Sequence, residues 1–336
     1  MIKFSVFADF HYKKRMYTPS LEGLDHILSR AKDAEVDFII HAGDFCNDYA
    51  GSPELIRAYH QNKYALPTYG IYGNHELETV GNTMEIVTPK LSNQAVQFGK
   101  DAQGNDLGYW YTDIKGFRII GIDTNYSYNE ELQAWEHNRP ASYGCPAGNK
   151  YSDSLGPNQL AWLDQTLADA AKKGLKVITF SHACLSGLWY YRHTEIEKIH
   201  ALFAKYPGTV LLSINGHEHK DHFAVVDGVA YFDLNSTTNG FWEPRTDYHY
   251  DDTHTFRFTD YDADGNPIFT EDFPLNKLRQ GSNTWFFTTP ISAIVTVTED
   301  GKITIQGEQT EWLYGVEPYR YEDGIKTVIE DREIQL

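Results

Sequence analysis

The sequence predicts an α/β fold whose first half contains a largely parallel sheet. Short apolar runs at residues 2–8, 38–42 and 68–72 have the length and composition of buried strands. Two amphipathic stretches, residues 20–34 and 53–64, separate these runs and have apolar residues at helical spacing. A β-α-β-α-β order implies right-handed crossover connections, which place successive strands side by side in parallel.

The predicted helices have recognisable ends. Ser20 stands immediately before the first amphipathic stretch and is a typical N-cap, and Pro53 falls in the first turn of the second. A capped helix is predicted over residues 154–173, with Gly174 ending it. A fourth helix is predicted over residues 194–206.

Strands and hairpins make up most of the remaining prediction, and the helical signal disappears after residue 220. Strands are predicted at residues 177–180 and 210–214. Dipeptides typical of tight hairpin turns occur at residues 115–116, 227–228, 264–265 and 300–301.

These patterns predict two regions. The first is a core over residues 1–239, interrupted by an irregular insertion at about 125–156. The second is a β-rich C-terminal segment, residues 240–336, which partly decorates the core and partly completes the second sheet.

Composition and charge limit the function. The 336 residues include 29 Lys plus Arg and 47 Asp plus Glu, a net charge of −18. This charge argues against nucleic acid or an anionic membrane as the main partner, whereas bound metal would still allow a phosphorylated substrate. There is no run of about 18 apolar residues, so no membrane span is predicted. Candidate site residues follow the N-terminal strand directly, which leaves no room for a signal peptide. We therefore expect a cytoplasmic protein unless a leader has been removed. The oligomeric state stays open.

Five clusters of oxygen and imidazole side chains follow predicted strands. They occupy residues 9–11, 43–44, 73–76, 181–182 and 216–219. A single cluster is typical of an ordinary surface histidine. Five clusters at strand ends instead predict a shared metal centre, because the carboxyl ends of the strands are where α/β sheets bind ligands. In an extended segment, positions i and i+2 point to one side, so Asp9 and His11 could meet one cation.

A family resemblance follows from these residues. In chain order, Asp-x-His, Gly-Asp, Gly-Asn-His-Glu, His and Gly-His-x-His resemble the calcineurin-like metallophosphoesterase superfamily over residues 2–236. The resemblance implies a four-layer αββα sandwich, in which two mixed β-sheets are flanked by helices. It also implies a phosphomonoesterase or phosphodiesterase, a hydrolase acting on ester bonds in which a hydroxide bridging two metals attacks phosphorus in line.

The resemblance also implies site residues. Seven metal ligands are implied, namely Asp9, His11 and His219 for a first ion, Asn74, His182 and His217 for a second, and Asp44 as the bridge. His75 would protonate the leaving oxygen or stabilise the transition state. This ligand set suits two divalent ions of Mn, Zn or Fe. Purple acid phosphatases carry a tyrosine where this chain has Asn47, so a purple ferric centre is not expected.

Weaker signals are open to two interpretations. Arg15, Trp189, Arg192 and His193 lie near the clusters and could contact a substrate, or could be solvated loop charge and local packing. Residues 260–271 have the spacing of an EF-hand calcium loop, but their strand-like flanks favour a hairpin turn rich in Asp and Gly.

Three functions compete. The first is hydrolysis of a small phosphorylated substrate by two metal ions. The second is a metal-stabilised binding protein without activity, which would lack His75 or the ligands of one metal, and this sequence has all of them. The third is a nuclease of the same superfamily, which would need the basic groove that a net charge of −18 argues against.

Overall fold

Two large mixed sheets, three two-stranded sheets and five α-helices make up most of the described part of the chain. The computed structural model describes residues 1–12, 20–46, 48–76, 82–130, 133–137, 153–189, 195–242, 255–262, 264, 266–274, 284–315 and 326–336. The helices are α1 (Leu21–Asp33), α2 (Pro53–His60), α3 (Met84–Val87), α4 (Gly156–Lys173) and α5 (Ile196–Lys205). Among these residues, no helix combines the length and the apolar character needed to cross a bilayer.

The described residues contain nineteen β-strands. They are β1 (Ile2–Phe7), β2 (Phe38–His41), β3 (Thr68–Gly70), β4 (Gln97–Lys100), β5 (Asp106–Ile114), β6 (Phe117–Gly121), β7 (Tyr126–Asn129), β8 (Ala134–His137), β9 (Lys176–Ser181), β10 (Val210–Asn215), β11 (His222–Val226), β12 (Val229–Asp233), β13 (Asn239–Trp242), β14 (Thr255–Tyr261), β15 (Pro267–Pro274), β16 (Thr284–Phe286), β17 (Ala293–Val297), β18 (Lys302–Gln306) and β19 (Arg332–Gln335).

The strand order confirms the predicted fold class. One sheet has six strands in the order β19-β18-β17-β1-β2-β3, and the other has seven in the order β11-β12-β10-β9-β6-β5-β4. Strands β1, β2 and β3 are parallel, as their crossover helices predict. Strands β6, β9, β10 and β12 are also parallel, and hairpins complete the second sheet.

The two sheets pack face to face. Phe4 on β1 stacks on Phe38 of β2 with ring centroids 5.0 Å apart, and it meets Phe180 of β9 edge-on at 5.5 Å. Helix α1 buries Leu24 and Ile27 in the same apolar cluster. Helices α4 and α5 pack into a separate cluster with side chains of β6 and β9. The result is the expected four-layer sandwich.

Local signals in the sequence agree with most element ends. The Ser20 hydroxyl accepts the Gly23 amide at 3.1 Å, and Gly174 ends α4 with φ 70°. The predicted cap at residue 154 is wrong. Helix α4 is instead preceded by Leu155, whose amide donates to the buried Glu195 carboxylate at 2.8 Å.

The structure differs from expectation in two places. Part of the predicted irregular insertion is regular, because β7 and β8 pair as a hairpin. The C-terminal strands do not join the sheet formed by the middle of the chain. Strand β17 pairs antiparallel with β1, and β18 and β19 extend that sheet outward. Four of the five residues of β17 are apolar, a composition that suits a buried strand in either sheet, so the sequence pattern could not choose between them.

The segment considered as a calcium loop is flanked by two strands, whereas an EF-hand loop is flanked by two helices. Strands β14 and β15 pair antiparallel around residues 262–266. The Asp262 carboxylate accepts the amides of Asp264 at 2.8 Å and Asn266 at 2.9 Å. This side chain therefore caps a turn, and the hairpin interpretation is confirmed.

Candidate metal centre

The loops that follow five strands meet at one edge of the sandwich. The amide of Asp9, after β1, donates to Gly43 O at 3.1 Å, and the amide of His11 donates to Asp44 O at 2.9 Å. On the second sheet, the Gly216 amide donates to His182 O at 3.1 Å. Backbone hydrogen bonds thus connect segments that are far apart in sequence before any side chain is considered.

The backbone of these loops is unusual. Asp9, His11, Asp44, His217 and His219 have φ between 49° and 77°. They are five of the ten non-glycine residues with positive φ in the part of the chain that the structure describes. Such conformations are costly for side-chain-bearing residues and concentrate at functional sites. The extended geometry from which we expected Asp9 and His11 to share a side is therefore wrong: they face one point because the chain turns after β1.

Glycines allow the loops to approach each other. Gly43 has φ 91°, and a Cβ there would overlap the His182 ring. A Cβ at Gly73 would overlap the Asp44 carboxylate. The glycines of the Gly-Asp and Gly-Asn-His-Glu clusters are thus explained by close packing of one loop on another.

One group of converging side chains contains Asp9, His11 and His219. The Nε2 atoms of His11 and His219 lie 3.2 Å apart. Asp9 Oδ1 lies 3.4 Å from His219 Nε2 and 3.9 Å from His11 Nε2. All three side chains are buried. Possible ligand atoms of the three lie within 4.8 Å of one another.

A second group contains Asp44, Asn74, His182 and His217. His182 Nε2 lies 3.1 Å from both Asp44 Oδ2 and Asn74 Oδ1, and 3.2 Å from His217 Nδ1. Asp44 Oδ2 is also 3.9 Å from His11 Nε2 in the first group. The Asp44 carboxylate therefore lies between the two groups.

Burial and neighbouring charges shift the pKa values of the side chains in this cluster in different directions. Burial opposes the charged form of His182, but the carboxylates of Asp44 and Asp9 raise its pKa to about 10. Burial lowers the pKa of His11 and of His217 to about 3. Burial would raise the pKa of Asp44, yet the surrounding histidines hold it well below its usual value. Neutral imidazoles and ionised carboxylates are the forms that bind metals, so a cation bound here would displace the proton from His182.

His75 faces the same cluster from its more open side. Its amide donates to Asp44 Oδ1 at 2.9 Å, and its Nε2 lies 3.7 Å from Asp44 Oδ2. The side chain is 23% exposed, whereas that of Asp44 is 3% exposed. Its ring meets the His11 ring edge-on at 4.9 Å. His75 is thus next to the predicted ligands and accessible to a molecule entering from solvent.

Sequence reasoning missed the part that Glu76 plays. The Glu76 carboxylate is buried and accepts the amides of Gly73, Asp44 at 3.0 Å and Phe45 at 2.7 Å. It therefore ties the loop after β3 to the loop after β2. Burial and the nearby Asp44 raise the pKa of Glu76 to about 8, and bound cations would oppose this shift. Its place directly after Asn74 and His75 was the available signal.

A second missed feature lies beside the site. His137 on β8 has Nε2 2.9 Å from the buried Oδ2 of Asp123. Its ring contacts Tyr72 edge-on at 5.4 Å, directly before the Gly-Asn-His-Glu loop. The hairpin of β7 and β8 thus packs against the loop that carries Asn74.

Of the four predicted substrate-contacting residues, Trp189 lies in the described part of the chain. The Trp189 ring stacks on His222 at 5.0 Å and packs against Ala183 and Cys184, beside His182. This contact agrees with local packing, and binding of a substrate by Trp189 stays a prediction. The remaining candidates, Arg15, Arg192 and His193, lie outside the described residues, as does Asn47.

Comparisons with known proteins agree with this picture. A zebrafish (Danio rerio) dimetal phosphatase of known structure superposes with a TM-score of 0.58 at 16% identity, covering 99% of this chain and 98% of the other. An Arabidopsis thaliana manganese-dependent ADP-ribose/CDP-alcohol diphosphatase is 24% identical over 275 residues, 67% of this chain and 82% of that protein. A sphingomyelinase phosphodiesterase C of Dictyostelium discoideum is 27% identical over 187 residues. That match spans 50% of this chain and only 36% of the relative.

The fold and the paired histidine and carboxylate groups define a metal-dependent hydrolase class. The chain belongs to the calcineurin-like phosphoesterase family, whose model matches residues 2–221. It is a metallophosphoesterase, a hydrolase acting on ester bonds.

Proposed function

We propose that this protein uses two divalent cations to hydrolyse a phosphodiester or diphosphate linkage in a small phosphorylated substrate. The observation that carries the proposal is the convergence of two ligand groups on either side of Asp44. Asp44 Oδ2 lies 3.1 Å from His182 of one group and 3.9 Å from His11 of the other. The proposed ligands are Asp9, His11 and His219 for the first ion, Asn74, His182 and His217 for the second, and Asp44 for both.

The arrangement of the donor atoms favours cation binding between the two ligand groups. Asp9 Oδ1 is buried and accepts no hydrogen bond from the described residues. Imidazole Nε2 atoms of His219 and His182 nevertheless lie 3.4 and 3.8 Å away. Such a buried oxygen is costly unless it has a partner, and a cation supplies one for the oxygen and the imidazoles together.

Manganese is the proposed metal. A mixed set of carboxylate, amide and imidazole donors suits Mn, Zn and Fe alike. The Arabidopsis relative is manganese-dependent by name, which favours manganese among them. When bound, two such ions activate a water for in-line attack at phosphorus and neutralise charge on the ester oxygens.

His75 is the proposed general acid. It lies at the accessible side of the cluster, 3.7 Å from Asp44 Oδ2. Its backbone is fixed by its amide hydrogen bond to Asp44, so the ring has a defined position. An imidazole at this position can give a proton to the leaving oxygen.

The substrate class follows from the relatives. A phosphodiesterase and a diphosphatase both cleave a phosphorus–oxygen bond in a phosphate that carries a second substituent. We therefore expect faster hydrolysis of diesters or diphosphates than of monoesters.

A substrate panel tests this proposal. Full-length protein would be assayed under Mn, Zn and Mg with p-nitrophenyl phosphate, bis(p-nitrophenyl) phosphate, ADP-ribose, a CDP-alcohol and sphingomyelin. The expected result is manganese-stimulated hydrolysis of one or more of the last four, with less activity on the monoester. Hydrolysis of the monoester alone would refute the substrate class, and no metal-stimulated hydrolysis at all would refute the mechanism.

A further inference from the structure

The C-terminal strand β19 is hydrogen-bonded to the loop that carries His217 and His219. Arg332 on β19 donates from Nη1 to Asp221 Oδ1 at 2.9 Å and from Nη2 to Asp221 Oδ2 at 2.7 Å. The Asp221 side chain is fully buried and lies two residues after His219. The Glu330 amide also donates to it at 3.2 Å. Two parallel charge-assisted hydrogen bonds fix both the position and the orientation of a carboxylate.

The guanidinium is itself held in place. Arg332 Nη1 also donates to Glu330 O at 2.9 Å, and the group lies over the rings of Phe223 at 5.8 Å and Phe232 at 5.5 Å. Strand β19 is hydrogen-bonded to β18 in the six-stranded sheet, whereas Asp221 directly precedes β11 of the other sheet. The ion pair therefore connects the edge of one sheet to a candidate ligand loop on the other.

A second connection reaches the same ligands. Asn235 Nδ2 donates to Lys326 O at 2.7 Å and Val328 O at 3.1 Å, which ties the segment after β12 to the C-terminal segment. Two residues shortly after Asn235 contact the first ligand group. Ser236 Oγ donates to Asp9 O at 3.0 Å, and the Gly240 carbonyl accepts a hydrogen bond from His219 Nδ1 at 2.8 Å.

The other ligand group is held differently. His182 Nδ1 donates to Ala42 O at 2.9 Å, and the amide of Asp44 donates to Glu76 at 3.0 Å. These contacts lie within the middle and N-terminal parts of the chain. Asp44 and His182 are therefore supported independently of the C-terminal segment, whereas His217 shares its loop with His219 and lies two residues further from Asp221.

We infer that residues 326–336 position the first metal site, and that Arg332 is the positioning residue through which they act. The inference rests on the ligand assignment proposed above. Removing the guanidinium would leave the buried Asp221 carboxylate without its charged partner and with only the Glu330 amide as a donor, so the loop would shift to expose the carboxylate to water. His219, two residues away, would then lose its alignment with Asp9 and His11.

Manganese titration of the full chain by calorimetry tests this inference. Wild type should bind two ions. In Arg332→Ala, one ion should bind about 10-fold more weakly, and the other should be affected less, because His217 lies two residues further than His219 from Asp221. Asp221→Asn should have the same selective effect. Arg332→Lys should fall between wild type and Arg332→Ala, since lysine keeps the charge but not the two parallel hydrogen bonds.

Lys302→Ala is the matched control. Lys302 on β18 pairs with Glu333 on β19 at 3.0 Å, and both side chains are exposed. This variant removes an ion pair from the same two strands without touching Asp221, so both manganese affinities should match wild type. Circular dichroism and thermal unfolding would establish that each variant is folded.

The outcomes separate this inference from the proposed function. If folded Arg332→Ala and Asp221→Asn bind both ions with wild-type affinity, or lose both equally, the positioning role is refuted while the metal centre stands. If Arg332→Ala does not fold, Asp221→Asn and Arg332→Lys decide by the same criterion. If wild type binds no manganese, the ligand assignment is refuted, and the inference with it.

Discussion

Glu76→Gln tests how the loops that carry Asp44 and Asn74 are held together. One carboxylate oxygen of Glu76 accepts the amides of Gly73 and Asp44, and the other accepts the amide of Phe45 at 2.7 Å. Glutamine offers a single oxygen. In either orientation of its side chain, the new NH₂ group would face at least one backbone N–H.

The magnitude follows from these contacts. In the metal-bound protein, where cations would keep Glu76 ionised, losing a hydrogen bond to a charged acceptor costs about 1.5–3 kcal/mol, and the buried amide left without an acceptor adds a cost of similar size. We therefore expect the free energy of unfolding to fall by about 3 kcal/mol. A chain of 336 residues has an unfolding entropy of about 0.7 kcal/mol/K, so Tm should fall by about 4 °C. The affinity for manganese should fall by about 10- to 100-fold, since the carboxylate fixes a ligand loop.

Thermal unfolding and manganese titration would be measured on the same preparations. Glu195→Gln is the matched control, because the buried Glu195 carboxylate accepts the amides of Leu155 and Gly156 at the start of α4 through one oxygen. Glutamine can keep both bonds there, so a modest loss of stability with unchanged manganese affinity is expected. Wild-type manganese affinity in Glu76→Gln would refute the reasoning.

Three further perturbations have defined outcomes. His75→Ala should keep both metals and lower turnover of bis(p-nitrophenyl) phosphate by about two to four orders of magnitude; wild-type turnover would exclude the proposed acid. Asp44→Asn should weaken binding at both metal positions, and metal analysis that still finds two tight equivalents would contradict the bridge. Burial raises the pKa of Glu308, but its contacts with His26 and Arg30 lower it overall. Its contribution to stability is therefore present above the ordinary pKa of 4.5 and is lost as pH falls below it. In Glu308→Gln, the free energy of unfolding measured in urea should fall less than in wild type as the pH drops below 4.5. A pH dependence equal to that of wild type would exclude this contribution of Glu308.

Much of the candidate site could be predicted because its residues have distinctive types at strand ends. The apolar runs of β1, β2 and β9 locate those ends, and the carboxyl edge of parallel strands is a general place for ligands. Asp9, Asp44 and His182 converge in the structure for this reason.

The local geometry could not be predicted in the same way. Alternation along an extended strand suggested that Asp9 and His11 share a side, but both adopt positive φ after β1 has ended. That conformation depends on hydrogen bonds to Gly43 and Asp44, which come from a segment more than 30 residues later in the sequence. No periodicity in the sequence carries this information.

Residues that support the site were also hidden from sequence reasoning. Glu76 carries an obvious charge, but its role depends on three amides from two loops. Arg332 lies 111 residues from Asp221, and nothing in a β-rich tail indicates which sheet it joins. Long-range pairing of this kind is decided by tertiary packing, which is why the C-terminal strands were placed in the wrong sheet.

Metal content measured together with activity tests the central claim most directly. Protein treated with chelator would be titrated with manganese, and the hydrolysis rate of the best substrate would be recorded against bound metal at each step. The account predicts negligible hydrolysis without metal and a rate that stops rising at two ions per chain. Full hydrolysis by protein shown to contain no metal would contradict it.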